Sequence, residues 1–179
     1  MLIGLTGAAG SGKDTVGGIL QKLYGFETYA FAGPLKAGMA AMGLPEPSDR
    51  TQKEVPIPGH KFTWREAAQK LGTEWGRSLD PDLWVSLGKL RFLTLMDQTL
   101  EIPHFVITDV RFENEASMVR ELGGRVWHIK GRKADLGANA AHASEYPNKQ
   151  IWGDAQITND GSLEQLEELV KVTLGGKFQ

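Results

Sequence analysis

The run Gly7-Ala8-Ala9-Gly10-Ser11-Gly12-Lys13 constrains this chain more than any other feature. It fits the pattern G-x-x-x-x-G-K. Before it stands the apolar run Leu2-Ile3-Gly4-Leu5-Thr6, and after it Val16, Ile19, Leu20 and Leu23 recur at helical spacing. Strand, loop and helix in that order are the context such a loop needs. Glycines let successive backbone N–H groups turn into one hollow. The helix N-terminus adds unpaired N–H groups and positive dipole character. The Lys13 ammonium is a point charge suited to the β and γ phosphates of a nucleoside triphosphate. On this reading Gly7, Ala9, Gly10, Ser11, Gly12 and Lys13 line a triphosphate site, and a glycine-rich turn with a coincidental lysine is the alternative. The pattern departs from its usual form at Asp14, where Ser or Thr would give a hydroxyl to Mg²⁺. Asp14 could hold the metal directly or through water; Thr15, about 100° further round the helix, is a weaker substitute.

The rest of the chain continues the alternation. Phe26 to Phe31, Phe105-Val106-Ile107-Thr108, Arg125 to Ile129 and Gln156-Ile157-Thr158 read as strands. A helix is expected from near Pro34. Thr63-Trp64-Arg65-Glu66 has the form of a capping box, with Trp64, Ala67, Ala68, Leu71 and Trp75 on one helical face. Asp80-Pro81 opens a helix through about Leu100. Met118, Val119 and Leu122 mark a helix that Gly123-Gly124 ends. Ser162-Leu163-Glu164-Gln165 is a second capping box, with Leu163, Leu166, Leu169 and Val170 facing one way behind it. Gly43 to Lys61 is a long loop, and Lys130 to Lys149, polar and irregular, is a candidate lid. Strands alternating with helices imply a parallel sheet covered on both faces, with 34–100 as a helical insertion in one single domain spanning 1–179.

Composition bounds the function classes. Formal net charge is −2, from 20 Lys+Arg against 22 Asp+Glu, which gives no support for charge-driven binding to nucleic acid or to an acidic membrane. There is no cysteine, so disulfides and thiolate metal sites are excluded, in keeping with a cytoplasmic protein. No apolar run approaches the roughly 18 residues of a membrane span.

Other candidate groups each carry two readings. Asp109 ends an apolar strand, where α/β sheets place ligand-binding groups; it could hold Mg²⁺ or its water, accept a proton or hydrogen bond from substrate, or cap the following helix. Arg111 suits bidentate phosphate binding, or an ion pair with Glu113 or Glu115. Lys36 and Arg77 are phosphate ligands or solvated cations. Trp64, Trp75 and Trp84 are core packing or a stacking surface for a base. Arg132 and Lys133 open the candidate lid, where cations could meet phosphates on closure. His142 and Glu145 could transfer a proton, or be solvated.

Several segments together resemble one family. The ending Gly12-Lys13-Asp14-Thr15, the segment Gln69-Lys70-Leu71-Gly72-Thr73-Glu74, the run Thr108-Asp109-Val110-Arg111-Phe112-Glu113-Asn114-Glu115, the block His142-Ala143-Ser144-Glu145 and Asn159-Asp160-Gly161-Ser162-Leu163 look like the bacteriophage deoxynucleoside monophosphate kinases. The similarity runs over nearly the whole chain. It implies a P-loop kinase fold with a central five-stranded parallel sheet flanked by helices, an acceptor-binding helical region over about 34–100, and a lid over about 130–149. It implies transfer of the γ-phosphoryl group of ATP to a deoxynucleoside monophosphate with Mg²⁺, in the host cytoplasm if the chain is phage-encoded. Asp14 then belongs to the family's pattern, with Asp14 and Asp109 as the metal candidates. Lys36 matches a basic acceptor-phosphate ligand, and Arg111 and Arg132 become phosphate ligands. Asn159 and Gly161 resemble the loop that nucleotide kinases lay against the adenine of ATP. Gln69, Thr73, Arg77, Trp84, Arg111 and Glu145 complete the acceptor candidates, and relatives suggest a homodimer. Two rival readings are a P-loop kinase for another phosphorylated metabolite, of the dephospho-coenzyme A or phosphomevalonate type, and a nucleotide-binding module without activity.

Overall fold

The computed structural model describes residues 1–49, 51–131 and 154–175. The chain forms two compact units: Met1–Ala30 with the described residues of Lys89–Gln179, and Phe31–Gly88. Among the described residues no helix is long and apolar enough to cross a membrane.

The first unit is built on a sheet of five strands: β1 Leu2–Thr6, β2 Glu27–Tyr29, β3 Phe105–Ile107, β4 Arg125–Gly131 and β5 Ala155–Asn159. All pairings are parallel and the order is β2-β3-β1-β4-β5. The five predicted strands are all present, although Phe26 precedes β2 as a buried core residue and β4 extends two residues past the expected end. Side chains alternate across the sheet. Ile3 and Leu5 face a core shared with Val16 and Leu20 of α1, Lys13–Tyr24, and Leu166, Val170 and Leu174 of α7, Leu163–Gly175. Gly4 lies on the opposite face, against Val119 of α6, Glu113–Glu121. β1 is central, with β3 on one side and β4 on the other. Its C-terminal end is therefore the point where strand order reverses, which is where such sheets bind ligands.

Two apolar faces depart from expectation. Leu163 is 54% and Leu169 is 42% exposed, whereas Leu166, Val170 and Leu174 form the buried stripe of α7. Leu163 lies in the first turn, one turn before the first buried residue Leu166, and Leu169 sits at the stripe's edge. The predicted Ser162 capping box is formed: the Ser162 N–H donates to Gln165 Oε1 at 2.7 Å, and the Gln165 N–H donates to Ser162 Oγ at 3.3 Å.

The second unit holds α2, Ala32–Ala41; a 3₁₀ turn, Thr51–Glu54; α3, Trp64–Gln69; a π-helical stretch, Lys70–Gly76; α4, Arg77–Leu79; and the start of α5, Leu83–Asp97. The helix placed near Pro34 begins at Ala32, so Pro34 still falls in the first turn. α5 ends at Asp97, short of Leu100. Thr63 caps α3 as predicted, its Oγ1 accepting the Glu66 N–H at 3.1 Å while Glu66 Oε2 accepts the Thr63 N–H at 2.8 Å. Leu35, Met39 and Trp64 form the core, with Leu71 and Trp84 packed on it. Trp75 lines a cavity with Met39, Ala67 and Leu71, so it lies toward that face, but it stays 52% exposed and outside the packed core. The i→i+5 closure of the π stretch widens the turn, so side chains fall behind the azimuth that an α-helix would give them.

Candidate active site

The Gly7–Lys13 loop links β1 to α1, as the sequence requires. Gly7 and Gly12 have φ of 145° and 102°, in the region that favours glycine. A Cβ on Gly7 would lie 2.3 Å from the carbonyl oxygen of Ile129, and one on Gly12 would lie 2.2 Å from Asn159 Nδ2. The loop is therefore closely backed by the ends of β4 and β5. Gly12 is the N-cap of α1 and brings no side-chain cap to the first turn. The first N–H groups of a helix have no partner within it, which makes such an end a place where an anion is held. The Lys13 ammonium donates to the carbonyls of Gly7 and Ala8, both at 2.8 Å, which holds its charge against its own loop. Ser11 is buried, and its hydroxyl has no hydrogen-bond partner among the described residues. Asp14 and Thr15 are exposed in the first turn of α1, where a carboxylate also suits the helix dipole.

Asp109 follows β3, partly buried. The backbone on either side is anchored: the Thr108 N–H donates to the Tyr29 carbonyl at 2.9 Å, and the Val110 N–H to the Leu5 carbonyl at 3.0 Å. These bonds extend the ladder past β3 and carry Asp109 to the same sheet edge as the loop. Asp109 does not cap α6, whose N-cap is Phe112. Burial pushes the Tyr29 phenol up to about 12, and the negative charge of Asp109 adds to that shift. Arg111 is partly buried, and its backbone N–H is held by Glu115.

Asn159 ends β5, and its side-chain amide donates to the Ser11 carbonyl at 3.0 Å. Asn159, Asp160 and Gly161 also line a cavity of about 370 Å³, closed by Gln165, Leu166 and Leu169 of α7. Asn159 thus meets the phosphate loop and shares this cavity with Gly161. Among the described residues no three acidic or histidine side chains gather into a metal site. Asp14 and Asp109 are the candidates on this unit, and magnesium in kinases is commonly held by one or two carboxylates together with substrate phosphates. The loop brings together backbone N–H groups, the Ser11 hydroxyl and the Lys13 ammonium, with no carboxylate among its residues, so the residues present fit a bound triphosphate.

The acceptor candidates of the second unit are described within it. Lys36 pairs with Glu46 at 3.1 Å, and Lys53 pairs with the same carboxylate. Lys53 also lies over the Trp64 ring, 5.4 Å from its centroid. Gln69, Thr73 and Arg77 follow one another at intervals of four through α3, the π stretch and α4, close to one turn per interval, and all three are partly buried. The Trp84 indole N–H donates to the Gly72 carbonyl at 2.8 Å, and the ring lies against Gly76, so packing holds it in this unit's core. Arg132, Lys133, His142, Glu145 and nearly all of the candidate lid lie outside the described residues.

Two functional arrangements escaped the sequence reading. Glu115, 4% exposed, is the N3 residue of α6 and binds two backbone N–H groups. Only the acidic half of a capping box is present, because Phe112 has no acceptor to offer. Asp154, 3% exposed at its side chain, accepts from Arg120 Nη2 at 2.8 Å and pairs with His128 Nε2 at 3.0 Å. No spacing rule links residues so far apart. Burial lowers the pKa of Arg120, but Asp154 and Glu113 outweigh it and raise it overall.

Comparison with known proteins agrees with this geometry. The family model described as deoxynucleotide monophosphate kinase matches residues 48–170. A protein of Acanthamoeba polyphaga mimivirus named putative deoxynucleotide monophosphate kinase is 33% identical over 178 residues, covering 92% of this chain and 91% of that protein. The deoxynucleotide monophosphate kinase of Enterobacteria phage T4 is 33% identical over 117 residues, 64% of this chain but only 46% of that protein. The crystal structure of TT1252 from Thermus thermophilus shares the fold, with a TM-score of 0.51 at 18% identity over 100% of this chain and 98% of that one. With its phosphate loop at the switch point of a five-stranded parallel sheet, the chain has the P-loop kinase fold and belongs to the deoxynucleotide monophosphate kinase family of enzymes.

Proposed function

We propose that this chain moves the γ-phosphoryl group of ATP to a deoxynucleoside monophosphate, giving the diphosphate and ADP. The observation that carries this reading is the Gly7–Lys13 loop, with its positive-φ glycines, its uncapped helix N-terminus and the Lys13 ammonium held against it. Family membership supplies the acceptor class.

In-line transfer forms a bond from an acceptor phosphate oxygen to the γ-phosphorus while the bond to the β-phosphate oxygen breaks. It needs positioning and charge neutralisation more than covalent help from the protein. Bound Mg²⁺ would supply charge neutralisation on the donor phosphates, with Asp14 and Asp109 as its protein ligands, directly or through water. The loop N–H groups and Lys13 hold the donor phosphates. Asn159 and Gly161 border the donor's base; Lys36 and Arg77 on the second unit, and Arg111 on the first, are each acceptor-phosphate ligands by family resemblance. Gln69 and Thr73 on the second unit are further acceptor ligands by the same resemblance, as are Arg132 for the phosphates and Glu145 for the acceptor, both outside the described residues.

A steady-state assay of ATP against each deoxynucleoside and ribonucleoside monophosphate tests the reading. Turnover with at least one deoxynucleotide, abolished by Lys13→Ala in a folded variant, is expected. Turnover confined to another phosphorylated metabolite, or wild-type rates in Lys13→Ala, would overturn it.

A further inference from the structure

We propose that Asn159 is a positioning residue for the phosphate loop, fixing the direction in which the loop presents the Gly12 N–H. The inference rests on the donor reading above and gives Asn159, beyond its place beside the base, a role exerted through the loop.

The argument begins at the last rung of the β4–β5 ladder, where Gly131 and Asn159 are register partners. Both meet Ser11. A Cβ on Gly131 would lie 2.9 Å from Ser11 Cα, so the end of β4 is in close contact with the loop backbone there. From the neighbouring strand, Asn159 Nδ2 donates to the Ser11 carbonyl at 3.0 Å. The peptide between Ser11 and Gly12 is trans, since the described chain has no cis bond. In a planar trans peptide the carbonyl and the following N–H point in opposite directions. Binding the Ser11 carbonyl from β5 therefore turns the Gly12 N–H away from β5.

A bare glycine is what allows this approach, because a side chain on Gly12 would occupy the place of the Asn159 amide. Asn159 also lines the cavity between β5 and α7, so one residue spans that cavity and the phosphate loop. An amide suits the position in two ways. It donates to a carbonyl, which a carboxylate cannot do, and it carries no charge beside a triphosphate.

Asn159→Asp keeps the size and removes the donor; Asn159→Ala removes the group without adding charge. Calorimetric titration of wild type and both variants would use two probes with Mg²⁺ present, ATP and inorganic tripolyphosphate, which has no base. A thermal melt of each ligand-free protein accompanies the titrations. Wild type is expected to bind both probes. Each variant should lose affinity by about tenfold, by a similar factor for ATP and for tripolyphosphate, with Asp at least as weak as Ala. Tripolyphosphate affinity that stays at the wild-type value in Asn159→Ala overturns the proposal. This holds whether ATP affinity falls, which would assign Asn159 to the base, or only the melting temperature falls, which would make the contact structural alone. Absence of binding of either probe by wild type would instead show that the donor reading has failed, and the proposal falls with it.

Discussion

The buried Glu115 carboxylate accepts the backbone N–H of Arg111 at 2.7 Å and that of Phe112 at 3.0 Å through a single oxygen. These two bonds set the path of the chain as it leaves Asp109 and enters α6. Glu115→Ala strands both N–H groups, at a cost of about 2 kcal/mol in stability. It also frees Arg111 from its fixed place, so kcat/KM for the acceptor should fall with it, whereas Glu115→Gln, which keeps an acceptor oxygen, should lose less of both. Urea unfolding and steady-state kinetics on the two variants check this.

The Arg120–Asp154–His128 cluster predicts a second effect on stability. Asp154 receives Arg120 through both Nε and Nη2 and pairs with His128 from β4. Asp154→Ala would leave Arg120 only its exposed partner Glu113 and remove the carboxylate that His128 pairs with, at a cost of about 2 kcal/mol. Asp154→Asn keeps an acceptor and should cost less. Chemical denaturation at neutral pH measures the difference, and equal midpoints for wild type and Asp154→Ala would refute it.

Glu46 gives a pH dependence with a definite sign. Burial pushes its carboxyl up, but hydrogen bonds and charge from Lys53 and Lys36 outweigh this and hold it below its ordinary value. A carboxyl depressed in the folded state contributes stability above its unfolded pKa and loses it as pH falls through the folded pKa. The stability gap between wild type and Glu46→Gln should therefore be full near neutrality. It should shrink as pH falls below the ordinary Glu range and vanish in stronger acid. Thermal melts across an acid series read this directly; a gap that widens on acidification would contradict the assignment.

Gly12→Ala should be more damaging than an ordinary glycine substitution. Its φ of 102° is strained for any L side chain, and the new Cβ would displace the Asn159 amide from the Ser11 carbonyl. The variant is expected to lose on the order of 2 kcal/mol and to weaken nucleotide binding severely. Urea unfolding and titration with ADP would check the two effects separately.

Much of this protein is legible in its sequence because the deciding interactions are local. The phosphate loop needs only glycines and a lysine between a strand and a helix, all within a dozen residues. The Thr63 and Ser162 caps need only an acceptor and its partner three positions on, and both form as read. The strands follow from short apolar runs. What the tertiary structure decided is where distant groups meet. Asn159, at the end of β5 beside the end of β4, reaches Ser11 across 148 positions, and Asp154, just before β5, reaches Arg120 of α6 across 34. The π-helical stretch Lys70–Gly76 was likewise not announced by any residue pattern. The sequence by itself determined the loop that can grip phosphates; only the register of β4 against β5 decided which side chain holds that loop in shape, since pairing between strands is set by the whole sheet and not by any one segment.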